Sequence, residues 1–223
     1  MEQAEELYLQ GNAAYEDGQL VHAFRSYEAA SALGHPDATN NLADMYLHGE
    51  YVEKNTKRAF QLFLVAAKAG VHEAMFTLGL LCENGIGVVV APEQAYFWYH
   101  RSAKYQDSLA QYRLGSIYYE GLLNKKRNVA KALYWYGLAA QQGHLDAQYN
   151  LGYIYNNEQD EYVDYAKGRF WYKEAARQGD VLACRRLEEI YEIGLGTKVD
   201  KQKAHYWGEQ AAQFECMRGE NNE

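Results

Sequence analysis

Apolar side chains along the stretch 107–143 fall at the spacings of two amphipathic helices joined by a loop. In the first half, Leu114 and Tyr118 stand four residues apart on one helical face, and Gly115 beside them lets another helix approach closely. The second half follows the i, i+3, i+4, i+7 template of a helix with one buried face, at Ala132, Trp135, Tyr136 and Ala139. Large aromatic residues opposite small ones allow helices to interdigitate. The pattern predicts a pair of packed helices.

The same pattern recurs along the chain at intervals of 36 or 37 residues. Its small first-helix residue recurs as Ala38, Ala74, Ala110, Ala147 and Ala183. Its tryptophan recurs as Trp98, Trp135, Trp171 and Trp207. Burying an aromatic side chain contributes about 2–3 kcal/mol, which favours a core position over a ligand cage for these tryptophans. A period of this length is typical of an all-α solenoid, in which each unit buries its apolar face against its neighbours.

The period divides the chain into three segments. A short helical pair occupies 1–34, with helices expected over about 2–17 and 20–33. The tail 215–223 lacks the period and is expected to be frayed or a short cap. Between them lie five units, at 35–70, 71–106, 107–143, 144–179 and 180–214. Four of their loops open with a glycine that can end the first helix in a left-handed conformation, at Gly49, Gly85, Gly121 and Gly194.

Two units depart from the pattern. In 144–179, Glu158 replaces the loop glycine and Gly168 replaces the alanine that opens the second helix. This junction should therefore be the least regular. In the last unit Glu188 replaces the first-helix glycine and Gly208 replaces the tyrosine after the tryptophan. Terminal repeats usually differ because one flank faces water.

The repeated motif A-x3-L-G-x2-Y-x2-G, a long loop, and then A-x2-W-Y-x2-A-A-x2-G closely resembles the Sel-one-like repeat (SLR) family. In the central unit the motif consists of Ala110, Leu114, Gly115, Tyr118, Gly121, Ala132, Trp135, Tyr136, Ala139, Ala140 and Gly143. The resemblance covers about 35–214, and 1–34 is similar to a tetratricopeptide repeat. It implies a right-handed α-solenoid of helix–turn–helix repeats. It also implies a non-catalytic protein-interaction role, as an adaptor or scaffold.

Charge and composition narrow the expected partners and location. The formal net charge of −8 disfavours generic binding to nucleic acid or to an anionic membrane surface. The first residues carry no basic and apolar signal segment, and no apolar run approaches the ~18 residues of a membrane span. The three cysteines, Cys82, Cys184 and Cys216, do not recur in pairs and are expected to be reduced and mostly buried. We therefore expect a cytoplasmic protein.

Catalytic and metal-binding motifs are missing from the sequence. There is no HExxH, paired CxxC, GxSxG or phosphate-loop spacing. His35, His72 and His144 are taken to share one junction position, and a residue that recurs with the period has a structural role. The basic loop cluster of Lys125, Lys126 and Arg127 is expected to be solvated. We expect no enzyme activity, no cofactor and no metal.

Binding residues are expected on the first helix of each pair, which lines the concave surface of tetratricopeptide-like arrays. Projecting the register onto this surface gives acidic residues that outnumber basic ones ten to one. Aromatic and amide side chains are interleaved with them. The candidate groove residues are Tyr8, Asn12, Tyr15, Glu16, Asp44, His48, Phe76, Glu83, Asn84, Tyr112, Tyr119, Glu120, Tyr149, Tyr153, Asn156 and Glu189. Carboxylates would pair with Lys or Arg, and aromatics would supply anchoring area.

The leading hypothesis is a protein-interaction module whose acidic groove binds a basic partner with an extended or amphipathic segment. An ordinary solvated helix face is the plainer interpretation of the same residues. Another alternative is a bacterial immunity or antitoxin-type protein that neutralises one toxin. A further alternative is a glycan or small-ligand receptor that uses Tyr112, Tyr119, Tyr149 and Tyr153 for stacking. The partner, the oligomeric state and self-association stay open.

Overall fold

The computed structural model describes residues 2–158 and 161–220. Within these ranges the chain forms twelve α-helices and no strand. The helices are α1 (Glu2–Glu16), α2 (Leu20–Ala32), α3 (Pro36–His48), α4 (Thr56–Lys68), α5 (His72–Asn84), α6 (Pro92–Lys104), α7 (Ser108–Glu120), α8 (Val129–Gln141), α9 (Leu145–Asn156), α10 (Tyr165–Arg177), α11 (Val181–Ile193) and α12 (Lys201–Glu220). The predicted all-α fold class is confirmed.

The helices fall into two compact units. The first unit holds Met1–Ala110 with Leu122–Lys125, and therefore α1 to α6. The second unit holds Gln111–Gly121 with Lys126–Glu223, and therefore most of α7 and α8 to α12. In the first unit the helices α1 to α6 pack consecutively, each on the next, and α1 also touches α3. The second unit repeats this consecutive packing from α8 to α12.

The first helices of the repeats begin at side-chain caps. The Nδ1 atom of His35 accepts a hydrogen bond from the Ala38 amide at 3.2 Å, and that of His144 accepts one from the Ala147 amide at 3.4 Å. Asp107 and Asp180 cap α7 and α11 in the same way. Such caps satisfy amide groups that lack a partner within the helix.

The recurring histidines are therefore structural at two of the three predicted positions. The rings of His35 and His144 stack on Tyr8 and Tyr112, with centroids 4.4 Å and 4.5 Å apart. The predicted shared position is wrong for His72, which is the first residue of α5, one position after the cap. The cap position there belongs to a valine, which offers no side-chain acceptor.

Glycine ends four of the first helices in the predicted left-handed conformation. The φ angles are 78° at Gly49, 69° at Gly85, 78° at Gly121 and 77° at Gly194, a region that side chains other than glycine enter at a cost. The helix α9 ends differently, at Asn157 in an extended conformation. The predicted irregular junction therefore starts where the loop glycine is missing, and its residues 159–160 lie outside the described ranges.

On four of the second helices a tyrosine fills the space above a glycine on the first helix. A Cβ atom on Gly115 would lie 2.4 Å from Cδ1 of Tyr136, which confirms the predicted close approach at this glycine. A Cβ on Gly152 would lie 2.5 Å from Tyr172. The same pairing joins Gly11 to Tyr27 and Gly79 to Tyr99. These tyrosines are buried, and burial raises the pKa of Tyr136 to about 12.

The tryptophans contribute less to the core than the sequence predicts. Trp98 is buried, with 7% of its surface exposed. Trp135, Trp171 and Trp207 are only half-buried, so the core assignment is too strong for them.

Both irregular units compensate for their departures. A Cβ on Gly168 would lie 1.8 Å from Nδ2 of Asn156, so glycine at 168 makes room for that amide. A Cβ on Gly208 would lie 2.5 Å from Oε1 of Glu188. In the last unit the larger side chain has thus moved from the second helix to the first. The segment 215–223, expected as a tail, is part of α12 as far as Glu220, and 221–223 lie outside the described residues.

Candidate functional site

A cavity of about 350 Å³ lies among α1, α2 and α3 in the first unit. We call it the first pocket, and it is lined by Tyr15, Tyr27, Asn41, Asp44, Met45, His48 and Glu50. Three of these residues, Tyr15, Asp44 and His48, are predicted groove residues. The structure therefore brings together a carboxylate, an aromatic ring and an imidazole that the register only placed on one surface.

Hydrogen bonds hold the walls of the first pocket. The Tyr27 hydroxyl donates to Oδ1 of Asn12 at 2.9 Å, and Nδ2 of Asn41 donates to the same oxygen at 3.2 Å. On the outer side the Tyr15 hydroxyl donates to Oε2 of Glu50 at 3.0 Å. This bond joins the end of α1 to the loop after α3. The predicted groove residue Asn12 thus acts on the pocket as a support for Tyr27 and Asn41.

Asp44 is the electrostatic centre of the first pocket. Burial raises the pKa of its carboxyl from the ordinary value of 3.8 to about 6, and Glu50 adds to the increase while His48 opposes it. Nδ2 of Asn40 lies 3.4 Å from Oδ2 of Asp44. The other amide atom, Oδ1 of Asn40, is buried without a hydrogen-bond partner. Within the described ranges no lysine or arginine lines this pocket.

The second unit has a corresponding cavity of about 220 Å³, which we call the second pocket. It is lined by Tyr153, Asn156, Asn157, Glu158, Tyr172, Arg186, Glu189, Ile190 and Leu195. Arg186 donates to Oε2 of Glu189 at 3.0 Å. Nδ2 of Asn156 donates to the Gly152 carbonyl at 2.7 Å, while its Oδ1 is buried without a partner. Tyr153, Asn156 and Glu189 are predicted groove residues that this pocket brings together.

The two pockets occupy the same repeat positions. Counted from the recurring motif alanines Ala38 and Ala183, Asp44 corresponds to Glu189 and Asn41 corresponds to Arg186. The remaining equivalent pairs are Tyr27 and Tyr172, Met45 and Ile190, Tyr15 and Asn156, and Glu50 and Leu195. The buried tyrosine, the acid and the apolar residue are shared, whereas Asn41 and Glu50 have Arg186 and Leu195 as their counterparts.

Four predicted groove aromatics make a recurring contact inside the fold. Tyr8, Phe76, Tyr112 and Tyr149 each lie beside the buried tyrosine of their own repeat, with ring centroids 6.4, 5.6, 5.7 and 5.5 Å apart. They are half-buried rather than exposed. Their recurrence with the period is the signal that could have indicated a structural contribution from the sequence.

The other predicted residues are separate from the two pockets. Glu83 accepts a hydrogen bond from the Tyr99 hydroxyl at 2.7 Å, and Nδ2 of Asn84 donates to the Leu80 carbonyl at 2.9 Å. The guanidinium of Arg127 lies 5.2 Å from the ring centroid of Tyr119. Glu16 and Glu120 are exposed at the ends of α1 and α7.

The basic loop is less solvated than the sequence predicts. Nζ of Lys125 lies 2.9 Å from Oε2 of Glu93 and 4.3 Å from the ring centroid of Tyr96. Lysines at the start of three second helices also lie over recurring tyrosines, as Lys131 does over Tyr118 at 4.9 Å. These cations therefore help to hold the loops in place.

Sequence reasoning missed several lining residues for a common reason. Tyr27 and Tyr172 lie on second helices, outside the projected surface. Asn41 and Arg186 lie one position from projected residues, and Glu50 follows the end of α3. The acidic excess of the surface indicated a site, but only packing selects which acid is enclosed.

The described residues contain no group of three or more His, Cys, Asp or Glu that could hold a metal ion. Among the same residues, none of the helices combines the length and apolarity needed to cross a membrane. Cys82 and Cys184 are buried, and Cys216 is exposed. Burial raises the pKa of both buried thiols.

Comparison with known proteins identifies the family to which the chain belongs. The Sel1 repeat model matches residues 36–71, 72–104, 108–144, 145–180 and 181–213. A Sel1 repeat protein from Oxalobacter formigenes is similar in structure, at a TM-score of 0.79 and 34% identity over 94% of this chain and 87% of that one. The protective antigen c5321 of uropathogenic Escherichia coli, which has an SLR fold, is similar at a TM-score of 0.87 and 27% identity. That match covers 94% of this chain and 46% of the antigen.

Among curated proteins, the chain is similar to chitin synthase regulatory factor 2 of Schizosaccharomyces pombe, with 32% identity over 104 residues. That alignment covers 46% of this chain and 20% of the yeast protein. The chain spans about a fifth of the length of the curated relatives it matches first. Because the repeat model accounts for most of its length, the chain belongs to the Sel1 repeat family.

Proposed function

We propose that this chain is a non-catalytic protein-interaction module that binds a partner polypeptide along the surface of its first helices. The first pocket is its anchoring site. The observation that carries the proposal is the half-buried Asp44 carboxylate, which lines the pocket together with Glu50 and faces the His48 imidazole but no lysine or arginine. Partial burial of a carboxylate costs stability, and a cationic ligand would offset that cost.

Family membership supports the coarser part of the proposal. Sel1 repeat proteins bind protein partners, and one relative is by its name a regulatory factor of chitin synthase. An adaptor or scaffold role follows for this chain if its own partner is a polypeptide. Acidic and aromatic side chains on the first helices favour a partner with basic character.

The test is partner capture by chemical crosslinking in the native cell, followed by pull-down with two matched variants. The groove variant carries Asp44→Lys, Glu83→Lys and Glu120→Lys. The control variant carries Glu28→Lys, Glu53→Lys and Glu209→Lys, three exposed acids outside the first helices. Circular dichroism verifies that both variants stay helical.

The proposal predicts that the groove variant loses a partner that the wild type and the control variant retain. Raising the salt concentration should weaken the same complex, because exposed charges are screened. Equal recovery of every partner by the two variants would overturn the groove assignment.

No specific observation on the described residues favours either alternative, the glycan or small-ligand receptor or the immunity-type protein. Glycan stacking needs exposed rings, whereas Tyr112 and Tyr149 contact buried tyrosines and Arg127 lies over Tyr119. Only Tyr153 of that set is exposed, at 42% of its surface. The immunity-type role stays a prediction, which protection of cells against a neighbouring toxin gene would test.

A further inference from the structure

We propose that the first pocket receives a single cationic side chain, a lysine or arginine, from the partner polypeptide. This inference rests on the proposed function and specifies the chemistry that the pocket recognises. It concerns Tyr15, Tyr27, Asn41, Asp44 and Glu50, which come from α1, α2, α3 and the loop that follows.

The walls of the first pocket match the two parts of such a side chain. Aromatic and apolar surfaces of Tyr15, Tyr27 and Met45 can contact the methylene stem, which lysine and arginine readily bury. The carboxylates of Asp44 and Glu50 lie among the same lining residues and can accept from the charged head. A volume of about 350 Å³ exceeds that of one long side chain.

The second pocket contains its own version of this arrangement. At the position of Asn41 it has Arg186, whose guanidinium lies 3.0 Å from the carboxylate that corresponds to Asp44. The repeat geometry therefore accommodates a cation beside this acid when the chain supplies one. In the first pocket the shorter Asn41 instead turns its amide toward Asn12. The cation position is left for a side chain from outside.

The chemistry of the lining favours a monovalent organic cation over other ligands. The described residues bring no three metal-ligating side chains together, so a chelated metal ion has too few ligands. A neutral polar group would leave the two carboxylates uncompensated. A carboxylate-bearing ligand would be repelled by Asp44 and Glu50.

Binding of this cation should depend on pH. Asp44 is protonated over more of the acidic range than an ordinary aspartate, because burial and Glu50 raise its pKa to about 6. The other titratable groups that face it are Tyr15 from α1, Tyr27 from α2 and His48 from its own helix. A bound ammonium favours ionised Asp44, so affinity should rise as pH increases through about 6.

The experiment is a titration of the full-length 15N-labelled protein with two short peptides. One is acetyl-Gly-Lys-Gly-amide, and the other replaces lysine with norleucine, which keeps most of the side-chain length without the charge. Spectra are recorded at pH 7.5 and pH 5 for wild type, Asp44→Asn and the control Asp37→Asn, an exposed acid of the same helix.

The lysine peptide should shift the amide signals of Asp44, His48 and Glu50 at pH 7.5. Its affinity should exceed that of the norleucine peptide by about tenfold, the value of one partly buried charge-assisted hydrogen bond. It should weaken at pH 5 and in Asp44→Asn, but not in Asp37→Asn. Equal binding of both peptides, no binding of the lysine peptide, or unchanged binding by Asp44→Asn would overturn the inference.

These outcomes are separate from the test of the proposed function. If the groove variant loses its partner while the lysine peptide does not bind, the module role holds and the cation pocket fails. If the lysine peptide binds but the groove variant keeps every partner, the pocket is selective and the groove assignment fails.

Discussion

The first and second pockets share one framework and differ in how they balance charge. Each has a buried tyrosine, an acid and an apolar residue at equivalent repeat positions. In the second pocket Arg186 pairs with Glu189 at 3.0 Å. In the first pocket the equivalent acid, Asp44, has an amide at 3.4 Å and a pKa raised to about 6. One acid pairs with a guanidinium of the chain, whereas the other has the His48 imidazole and no lysine or arginine in its pocket lining.

The comparison separates residues that build the array from residues that can carry specificity. The contacts of Gly11 with Tyr27 and of Gly152 with Tyr172 belong to a pattern shared by four helix pairs, in which the two helices approach closely. Asn41 and Arg186 differ although they occupy the same position. One substitution on a constant framework therefore changes the charge of a pocket.

The largest expected effect removes what the pockets share. In Gly152→Ala the new methyl group would lie 2.5 Å from the Tyr172 ring, which must shift. Overpacking of this kind costs about 1–3 kcal/mol, and we expect the upper part of that range because Tyr172 is only 2% exposed. Urea unfolding measures the loss.

Gly137→Ala in α8 is the matched control, since nothing lies within 4 Å of its added Cβ. Alanine in an open helical site should stabilise the fold by about 0.5–1 kcal/mol. A Gly152→Ala protein as stable as Gly137→Ala would show that the glycine–tyrosine contact does not define the pocket floor.

A second prediction concerns the dependence of stability on pH. The folded-state pKa of Asp44, about 6, lies above its unfolded value, so the folded state binds the proton more tightly. Its contribution to stability is complete below about pH 4 and is lost as pH rises through about 6. Asp44→Asn should remove this loss, and at pH 8 it should be more stable than wild type by about 2 kcal/mol or less.

The measurement is the difference in unfolding free energy between wild type and Asp44→Asn at pH 5 and pH 8. The exposed Asp37→Asn serves as the control for removing one negative charge from α3. An Asp44→Asn protein that gains nothing between the two pH values would mean that Asp44 is not enclosed as described.

Much of the fold follows from the sequence because its determinants recur. The predicted helices 2–17 and 20–33 differ by one residue or less at each end from α1 and α2. The left-handed glycines at Gly49, Gly85, Gly121 and Gly194 follow equally from the pattern. Such positions can be recognised in the sequence because the same residue type recurs at the same place in several repeats.

The site is harder to predict because its decisive residues do not recur. Asp44, Glu83 and Glu189 all count as acids of one projected surface. Packing encloses Asp44, gives Glu83 the hydroxyl of Tyr99 and pairs Glu189 with Arg186. The burial and the partner of each acid depend on side chains from neighbouring helices, which a projection along one helix does not include.

A third prediction exchanges the feature that distinguishes the pockets. Asn41→Arg should place a guanidinium beside Asp44, lower the pKa of that carboxyl and compete with an external cation. Affinity for the lysine peptide should fall by about tenfold. Lysine-peptide titrations of the two proteins measure the change, and undiminished affinity in Asn41→Arg would separate Asn41 from the cation site.

The reciprocal variant, Arg186→Asn, removes the internal cation of the second pocket. Glu189 then lacks its partner at 3.0 Å, so the second pocket should acquire weak binding of the lysine peptide. Signals of Glu189 and Tyr153 report it in the same titration. If the lysine peptide does not bind in the second pocket of Arg186→Asn, the cation site is limited to the first pocket around Asp44.

The smallest effect is expected for Tyr15→Phe. The lost hydrogen bond to Glu50 joins exposed groups, since Tyr15 has 43% of its surface accessible, so the cost should stay below about 1 kcal/mol. Thermal unfolding against Tyr153→Phe, an exposed tyrosine of the second pocket, measures it. A larger loss of stability would show that the fold around the first pocket depends on this bond, and that the bond does more than link the pocket's outer residues.

The central claim is that Asp44 binds a cationic side chain from a partner. Its most direct test is the titration of the Asp44 side-chain carboxyl by 13C NMR in the full-length protein. Without ligand the pKa should be about 6, as burial dictates. With saturating lysine peptide it should fall toward the ordinary aspartate value, whereas the norleucine peptide should leave it in place. A pKa near 3.8 in the free protein, or one that the lysine peptide does not change, would contradict the account.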